Sequence, residues 1–506
     1  MTSLPRRFKR NATAGYLYAF SSLALGVLVT PIVVRGLGKD AYGVWVLVSS
    51  SAVYFSLLKF GLGRATIKYV AEARARQDND LVRRTVSTAF IVLSIPGLAL
   101  LAASPGLALL FPKIFHVPPG LRQGAMVLVV LSSLDLGVAI PADTFGSALT
   151  GFQRYDLLNA TLVATACAQA AAWTIILAFG GGLIEIGIAT VAFSLTSQVV
   201  RYTMVRRLTG GPVLTWRFFD RSLVKPLLTV SGWIAGTDVG GVIIYRIDPI
   251  VVSLVAGVPQ AGIYAVGQKL AGLIGQLTGP ALGMFYPHSS ELAATDDWNA
   301  LRAGLFAGTR ISVAIAAPLA LTLSLLARPA IHVWVGSGFG QATQVVIYLS
   351  VAPLVGGAVT QTGIYVLRGS GDVRVPALIT ALEATLNLTL SIVLGLSMGL
   401  VGVALATLIA HASTQFVFLL PYICRRVQVS MLSLLFTLAR AHVPPAALSA
   451  AVGLYLRRYD LDGILPLLGA GAAMVTTYAL VFSVTGFAHA ERQRATAVLR
   501  QAVRRA

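Results

Sequence analysis

Gly38-Lys39-Asp40-Ala41-Tyr42-Gly43-Val44-Trp45 lies between two long apolar runs, and 219 positions on the same spacing returns as Gly257-Val258-Pro259-Gln260-Ala261-Gly262-Ile263-Tyr264. Glu72 returns at that offset as Glu291. Gly151 with Arg154 returns 220 positions on as Gly371 with Arg374. Gly182-Leu183-Ile184 with Ala189-Thr190 returns 217 positions on as Gly399-Leu400-Val401 with Ala406-Thr407. An offset held within 217 to 220 across most of a half is the mark of a duplicated domain; solenoid units run roughly 20 to 50 residues. Residues past about 430 have no counterpart in the first half.

Composition says what was duplicated. Hydrophobic residues make up 56% of the 506 and charged residues 11%, against about 25% charged in an ordinary soluble domain. This predicts an all-α polytopic membrane protein. Apolar stretches of roughly 20 residues, enough to span about 30 Å of hydrocarbon, can be placed six times between 15 and 205 and six times between 226 and 420. Two more follow, near 443–456 and 464–487, for fourteen in all. The expected organisation is a basic cytoplasmic amino terminus (1–12), a first lobe (13–215), a second lobe (216–430), two further spans (431–490) and a basic cytoplasmic tail (491–506). Six crossings return a chain to its starting face, so the two halves enter the membrane from the same side. Such parallel repeats are related by an axis along the membrane normal, with a path between two bundles that rock against each other.

Lys and Arg accumulate in cytoplasmic loops. With the amino terminus inside, inner segments hold 30 of the 39 basic residues and outer loops 7, leaving Arg246 and Lys269 inside spans. The net charge of +20 is therefore a topology signal with attraction to anionic lipid as its by-product, and nucleic-acid binding is excluded. Arg6, Arg7, Lys9 and Arg10 ahead of a full-length apolar span fit a signal anchor. Cys167 falls within a span and Cys424 at the inner face, so neither belongs to an extracellular disulfide framework.

The stretch Leu37 to Trp45, followed by Leu58-Lys59-Phe60-Gly61-Leu62-Gly63 and Lys68-Tyr69-Val70-Ala71-Glu72, resembles the amino-terminal signature of the polysaccharide exporter and oligosaccharide flippase family. That family shares a superfamily with the multidrug and toxic-compound extrusion (MATE) transporters and the lipid II flippases. Gly151-Phe152-Gln153-Arg154-Tyr155 and Gly399-Leu400-Val401-Gly402-Val403-Ala404 extend the likeness over essentially the whole chain. The resemblance implies a two-lobe flippase of the bacterial cytoplasmic membrane, with both termini cytoplasmic. It would move undecaprenyl-diphosphate-linked oligosaccharide to the outer leaflet, with glycosyltransferases or a polysaccharide polymerase as partners. Where many relatives carry an acidic residue, this chain has Lys59. A cation-coupled drug exporter or a lipid II flippase is the alternative on the same scaffold.

Ionisable groups inside hydrocarbon cost about 2.5 to 3.5 kcal/mol each at a helix centre on insertion scales, so they face a cavity or a partner. Arg246 near the end of the seventh span and Lys269 near the start of the eighth fall about 12 to 14 Å below the outer surface at 1.5 Å per residue. They could hold a diphosphate, Arg as a bidentate fork and Lys as a point charge. The competing arrangement pairs Lys269 with Asp248 and Arg246 with Asp238. Lys59 and Arg64 would meet a phosphate at the inner mouth, where the segment from Arg64 to Arg84 reads as an amphipathic helix at the interface. Asp135, Asp143, Asp238, Asp248 and Glu383 outnumber the two span cations, so some of these acids are solvated, protonated or coupled to H+ or Na+; Asp238 and Asp135 are the first candidates.

Enzymatic readings fail on the same residues. Gly262 to Lys269 approaches a phosphate-loop spacing, but Gln268 breaks the Gly-Lys step and no strand precedes it. The six histidines are scattered singly, with no metal-ligand spacing and no cofactor motif. The longest outer loop, 112–122, is too short to hold an acceptor substrate.

Overall fold

The computed structural model describes residues 4–486 apart from 60, 230–245, 284–288, 290, 293, 294 and 296. These residues form helices joined by short turns, and eleven of the helical segments are long and apolar enough to cross a membrane. That is what a chain must do where no water can satisfy backbone N–H and C=O groups.

The first compact unit comprises residues 1–262. Its helices are α1 (Leu4–Ser56), α2 (Leu62–Ala75), α3 (Asn79–Ile114), α4 (Arg122–Gly151), α5 (Tyr155–Ala178), α6 (Leu183–Thr209) and α7 (Asp248–Ala256). Helix α1 is broken at Gly38, where φ is 75° and ψ 172°, a conformation open essentially to glycine alone. Gly257, its counterpart in the repeat, has φ 94° and ψ 164°. Just after the first break, Gly43 packs its Cα on the backbone carbonyl of Val258. Helix α7 therefore lies along α1, and α4 sits centrally against α1, α2, α3 and α6. Pro141 in α4 removes the amide that would bond Gly137, and Gly97 of α3 abuts that freed carbonyl.

The basic segment after Lys59 is not one interfacial helix. Helix α2 ends at Ala75 and Gln77 takes a left-handed φ of 57°. Asp78 then caps α3, its carboxylate accepting from the Leu81 amide at 2.8 Å, so Arg83 and Arg84 belong to the first turns of α3. An Asp three residues ahead of an apolar run is a strong helix start, and it overrides the continuous charge pattern. Helix α2 itself is amphipathic, with Leu62, Ala65, Val70 and Ala73 buried and Arg64 and Lys68 exposed.

The second unit, 263–506, contains most of α8 (Val258–Gly283), then α9 (Trp298–Leu325), α10 (Ala327–Val335), α11 (Ala342–Ala352), α12 (Ala358–Gly369), α13 (Arg374–Met398), α14 (Leu400–Ser413), α15 (Leu420–Val427), α16 (Met431–Leu456) and α17 (Ile464–Thr485). Pro353–Gly357 and Thr414–Leu419 are π-helical links. Helix starts recur in register: Asn79 and Trp298 open α3 and α9, Leu183 and Leu400 open α6 and α14. Left-handed residues recur as well, Gln153 and Gly371, Gly210 and Gln428.

Helices α16 and α17 pack on each other and on α9, with Leu434, Leu438 and Tyr478 joining Val313, Ala316 and Ala317 in one core. The span expected at 443–456 begins twelve residues earlier, at Met431. Arg440, His442 and the Pro444-Pro445 pair hide this in the sequence. Pro445 has no amide to give Ala441, and Thr485 Oγ1 of α17 donates to that carbonyl at 2.9 Å instead.

Candidate functional site

In the first unit, the left-handed Gly61 and the small Gly63 let the start of α2 press onto α4: a Cβ on Gly63 would lie 3.0 Å from both Asp143 Oδ2 and Ser147 Oγ. Lys59, in the turn just before, donates from Nζ to Asp143 Oδ1 at 3.0 Å. The expected inner-mouth cation and one of the expected ion carriers are thus a single pair. Each side chain is about one-third exposed, so the pair contributes roughly 1 kcal/mol or less. Arg64 lies exposed on α2.

Asp135 sits nearer the middle of α4 and lines a cavity of about 310 Å³ within the first unit. Tyr18, Ser21 and Ser22 of α1, Thr165 and Gln169 of α5, and Ser194, Ser197, Gln198 and Arg201 of α6 complete its polar wall. Ser194 hydrogen-bonds Asp135, but buried Asp135 Oδ1, Ser197 Oγ, Gln198 Oε1 and Arg201 Nε have no hydrogen-bond partner among the described residues. Arg201 is within electrostatic range of Asp143 and Tyr18. Arg201 lies eight residues inside the end of α6, a third cation within a span beside the expected Arg246 and Lys269.

Asp248, 1% exposed, opens α7. Arg246 is exposed two residues before it, and the Tyr54 hydroxyl of α1 lies within electrostatic range of both. Lys269 is exposed on α8 in the second unit. Asp238 falls outside the described residues.

Glu383 of α13 lies at the centre of a buried network in the second unit. Its Oε1 meets His411 Nδ1 at 2.6 Å, and its Oε2 accepts from Gln415 Nε2 at 2.8 Å and Thr414 Oγ1 at 3.1 Å. Thr360 of α12 donates to Gln415 Oε1 at 2.5 Å. Gly356, in the first π-helical link, leaves room for the His411 ring and Gln415, which a Cβ would strike at 2.6 and 2.8 Å. One turn nearer the α13–α14 loop, Asn387 Nδ2 donates to Thr407 Oγ1 at 3.0 Å. His411, one of six histidines scattered singly along the sequence, is the partner of Glu383. The signal was present: the pairs Glu383–His411 and Asn387–Thr407 share a midpoint at 397, beside the tight turn at Gly399, so an antiparallel hairpin sets them opposite each other.

A second missed cluster ties the last two helices down. His442 Nδ1 is 2.8 Å from Tyr478 Oη, its ring stacks on Phe482 at 5.0 Å, and Arg310, twelve residues into α9, lies within electrostatic range. Among the described residues no group of three or more His, Cys, Asp or Glu could hold a metal ion.

Asp248, Glu383 and His442 are ionisable groups buried among the helices of a membrane chain, a placement that in transporters marks pathways and coupling sites. The family model described as polysaccharide biosynthesis protein matches residues 32–344, more than half of the chain, and the model described as lipid II flippase MurJ matches 272–465. The chain belongs to the polysaccharide biosynthesis protein family, within the superfamily that contains the MATE transporters and MurJ, as its amino-terminal motif suggested. It is 22% identical over 423 residues to the uncharacterized membrane protein EpsK of Bacillus subtilis, covering 83% of this chain and 82% of that one. The inward-closed lipid II flippase MurJ is similar in fold, with a TM-score of 0.70 at 14% identity, over 93% of this chain and 98% of that chain. An inward-facing multidrug resistance MATE transporter has a TM-score of 0.71 at 15% identity, over 80% and 94%.

Proposed function

We propose that this protein translocates undecaprenyl-diphosphate-linked oligosaccharide from the inner to the outer leaflet of a bacterial cytoplasmic membrane. The observation that carries the reading is the set of polar groups kept inside the helices: Asp135 and Arg201 at a cavity, Lys59 on Asp143, and Glu383 on His411. Each is costly in lipid and marks a path for a polar cargo or a coupling ion. The polysaccharide biosynthesis family supplies the cargo class. In this reading fourteen spans form two parallel six-span lobes, 13–215 and 216–430, plus a pair at 431–490, with 1–12 and 491–506 cytoplasmic. The shared register of helix starts and left-handed residues supports the duplication.

Within that frame Arg246 and Lys269 grip the diphosphate, and Lys59 and Arg64 receive it at the inner face. Lys59 then exchanges Asp143 for phosphate, which a weak, part-exposed pair permits. Asp135, Asp143, Asp238, Asp248 and Glu383 are the candidates for H+ or Na+ coupling. Membrane lipids surround the bundle, and the polymerase and glycosyltransferases of the same polysaccharide are the protein partners. The lipid II flippase match over 272–465 favours a second reading, lipid II as cargo. Purified protein in proteoliposomes loaded with radiolabelled undecaprenyl-diphosphate oligosaccharide or lipid II separates the two. Protein-dependent exposure of the first cargo to an impermeant glycosidase supports the proposal. Exposure of lipid II alone overturns it.

A further inference from the structure

We infer that the cavity inside the first unit is a binding pocket for one sugar ring of the cargo; this rests on the flippase reading above. The cavity lies inside the helix bundle, lined by α1, α4, α5 and α6. Its α5 lining begins at Leu162 and ends at Gln169, at least seven residues from each end of that helix, or about 10 Å at 1.5 Å per residue.

The duplication shows what such a cluster looks like when it needs no ligand. The α6 residues Thr190, Ser194, Ser197 and Gln198 recur 217 positions on as Thr407, His411, Thr414 and Gln415. In the second unit the last three close on Glu383, and Thr407 takes the bond from Asn387. In the first unit Ser194 stands where His411 does, the facing helix offers Thr165 and Gln169 rather than a carboxylate, and the place is hollow. Its orphaned atoms, Asp135 Oδ1, Gln198 Oε1, Ser197 Oγ and Arg201 Nε, are two acceptors, a hydroxyl that can do either, and a donor. Buried polar atoms of both kinds call for a ligand that donates and accepts at closely spaced positions.

A sugar hydroxyl does both. Asp135 disfavours an anion and Arg201 a cation, so the complementary ligand is neutral and polyhydroxylated. A volume of about 310 Å³ lies at the small end of ligand pockets, which run from about 300 to 1,000 Å³, and suits a single ring rather than a chain.

The test uses the full chain in detergent, with native mass spectrometry counting bound lipid. The probes are undecaprenyl diphosphate and the same lipid carrying one N-acetylglucosamine or one galactose. The expected result is that a glycosylated lipid binds about tenfold tighter than the bare one, the worth of one or two neutral hydrogen bonds. Gln198→Leu and, independently, Ser197→Ala should shrink that ratio while leaving affinity for bare undecaprenyl diphosphate unchanged. Equal affinity for all three lipids means the cavity holds only water or a coupling proton and overturns the inference, leaving the flippase reading intact. A preference indifferent to both substitutions overturns the assignment to this cavity. Binding of none of the three lipids overturns the flippase reading itself, and the pocket with it.

Discussion

Truncation of Glu383 to alanine should destabilise the second unit more than any other single change among its polar groups. The carboxylate is 4% exposed and is approached by His411, Gln415 and Thr414. Thr414 keeps alternatives in the carbonyls of Ala410 and His411, at 2.8 and 3.2 Å. His411 Nδ1 and Gln415 Nε2 have no other partner among the described bonds. The Gln415 Nε2 donor and the His411 Nδ1 facing it are then left without a partner in a dry bundle. Hydrogen bonds between neutral groups within membranes average about 0.6 kcal/mol, whereas those to a charged group run about 1.5 to 3 kcal/mol. The loss is therefore about 1 kcal/mol if Glu383 is protonated and up to about 6 if it is ionised. Glu383→Gln keeps the length and one acceptor oxygen, so it should cost about half as much. Thermal unfolding of purified protein, followed by fluorescence-detected size-exclusion, would rank wild type, Glu383→Gln and Glu383→Ala in that order. An unchanged midpoint for Glu383→Ala would refute the argument that this network holds α13, α14 and the π-helical links together.

Other perturbations act on different features of the chain. Gly38→Ala meets open space and so tests backbone strain alone; at φ 75° and ψ 172° it should cost about 1 to 3 kcal/mol, read as a lower unfolding temperature. Gly43→Leu, driven into the Val258 carbonyl, should abolish folded yield, and a normal yield would mean α1 and the start of α8 do not pack as described. Asp220 is held below the usual carboxylate range by hydrogen bonds from the Ser222 hydroxyl and backbone amide, with Arg84 adding to the effect. Its stabilising effect is therefore present above the ordinary value near 3.9 and is lost as pH falls through the lowered one. Ser222→Ala should shift the acid limb of a pH–stability curve upward, and an unmoved limb would contradict this. Asp135→Asn should flatten the dependence of transport on a proton or sodium gradient, and an unchanged dependence would contradict ion coupling at Asp135.

The fold was legible where its signal was local or periodic. Apolar runs and the offset joining Gly38 to Gly257 and Gly182 to Gly399 are properties of the chain itself, and lipid permits few structures to such a chain. Limits blurred wherever charge entered a helix. Arg440 and His442 concealed the first half of α16, and Asp78 split a basic segment that looked continuous. For the candidate site, Lys59, Asp143, Asp135 and Glu383 were recognisable as ions in the wrong solvent. Their partners were not, because partnership depends on helix facing: Lys59 meets Asp143 84 positions away, and Glu383 meets His411 across a hairpin. Arg201 and Arg310 escaped notice because each lies two to three turns inside a helix whose inner end also carries basic residues.

The proposed activity is movement of a lipid-linked sugar across a bilayer. Its most direct test is leaflet accessibility in proteoliposomes. Radiolabelled undecaprenyl-diphosphate oligosaccharide is incorporated, the outer-facing pool is digested with an impermeant glycosidase, and release of the protected pool is followed over time. The protected pool, about half in protein-free vesicles, should be consumed when wild-type protein is present. Arg246→Ala should slow this strongly and Arg246→Lys restore part of it, since charge survives but the bidentate fork does not. A protected pool that stays constant with correctly folded wild-type protein, with and without proton and sodium gradients, would contradict it.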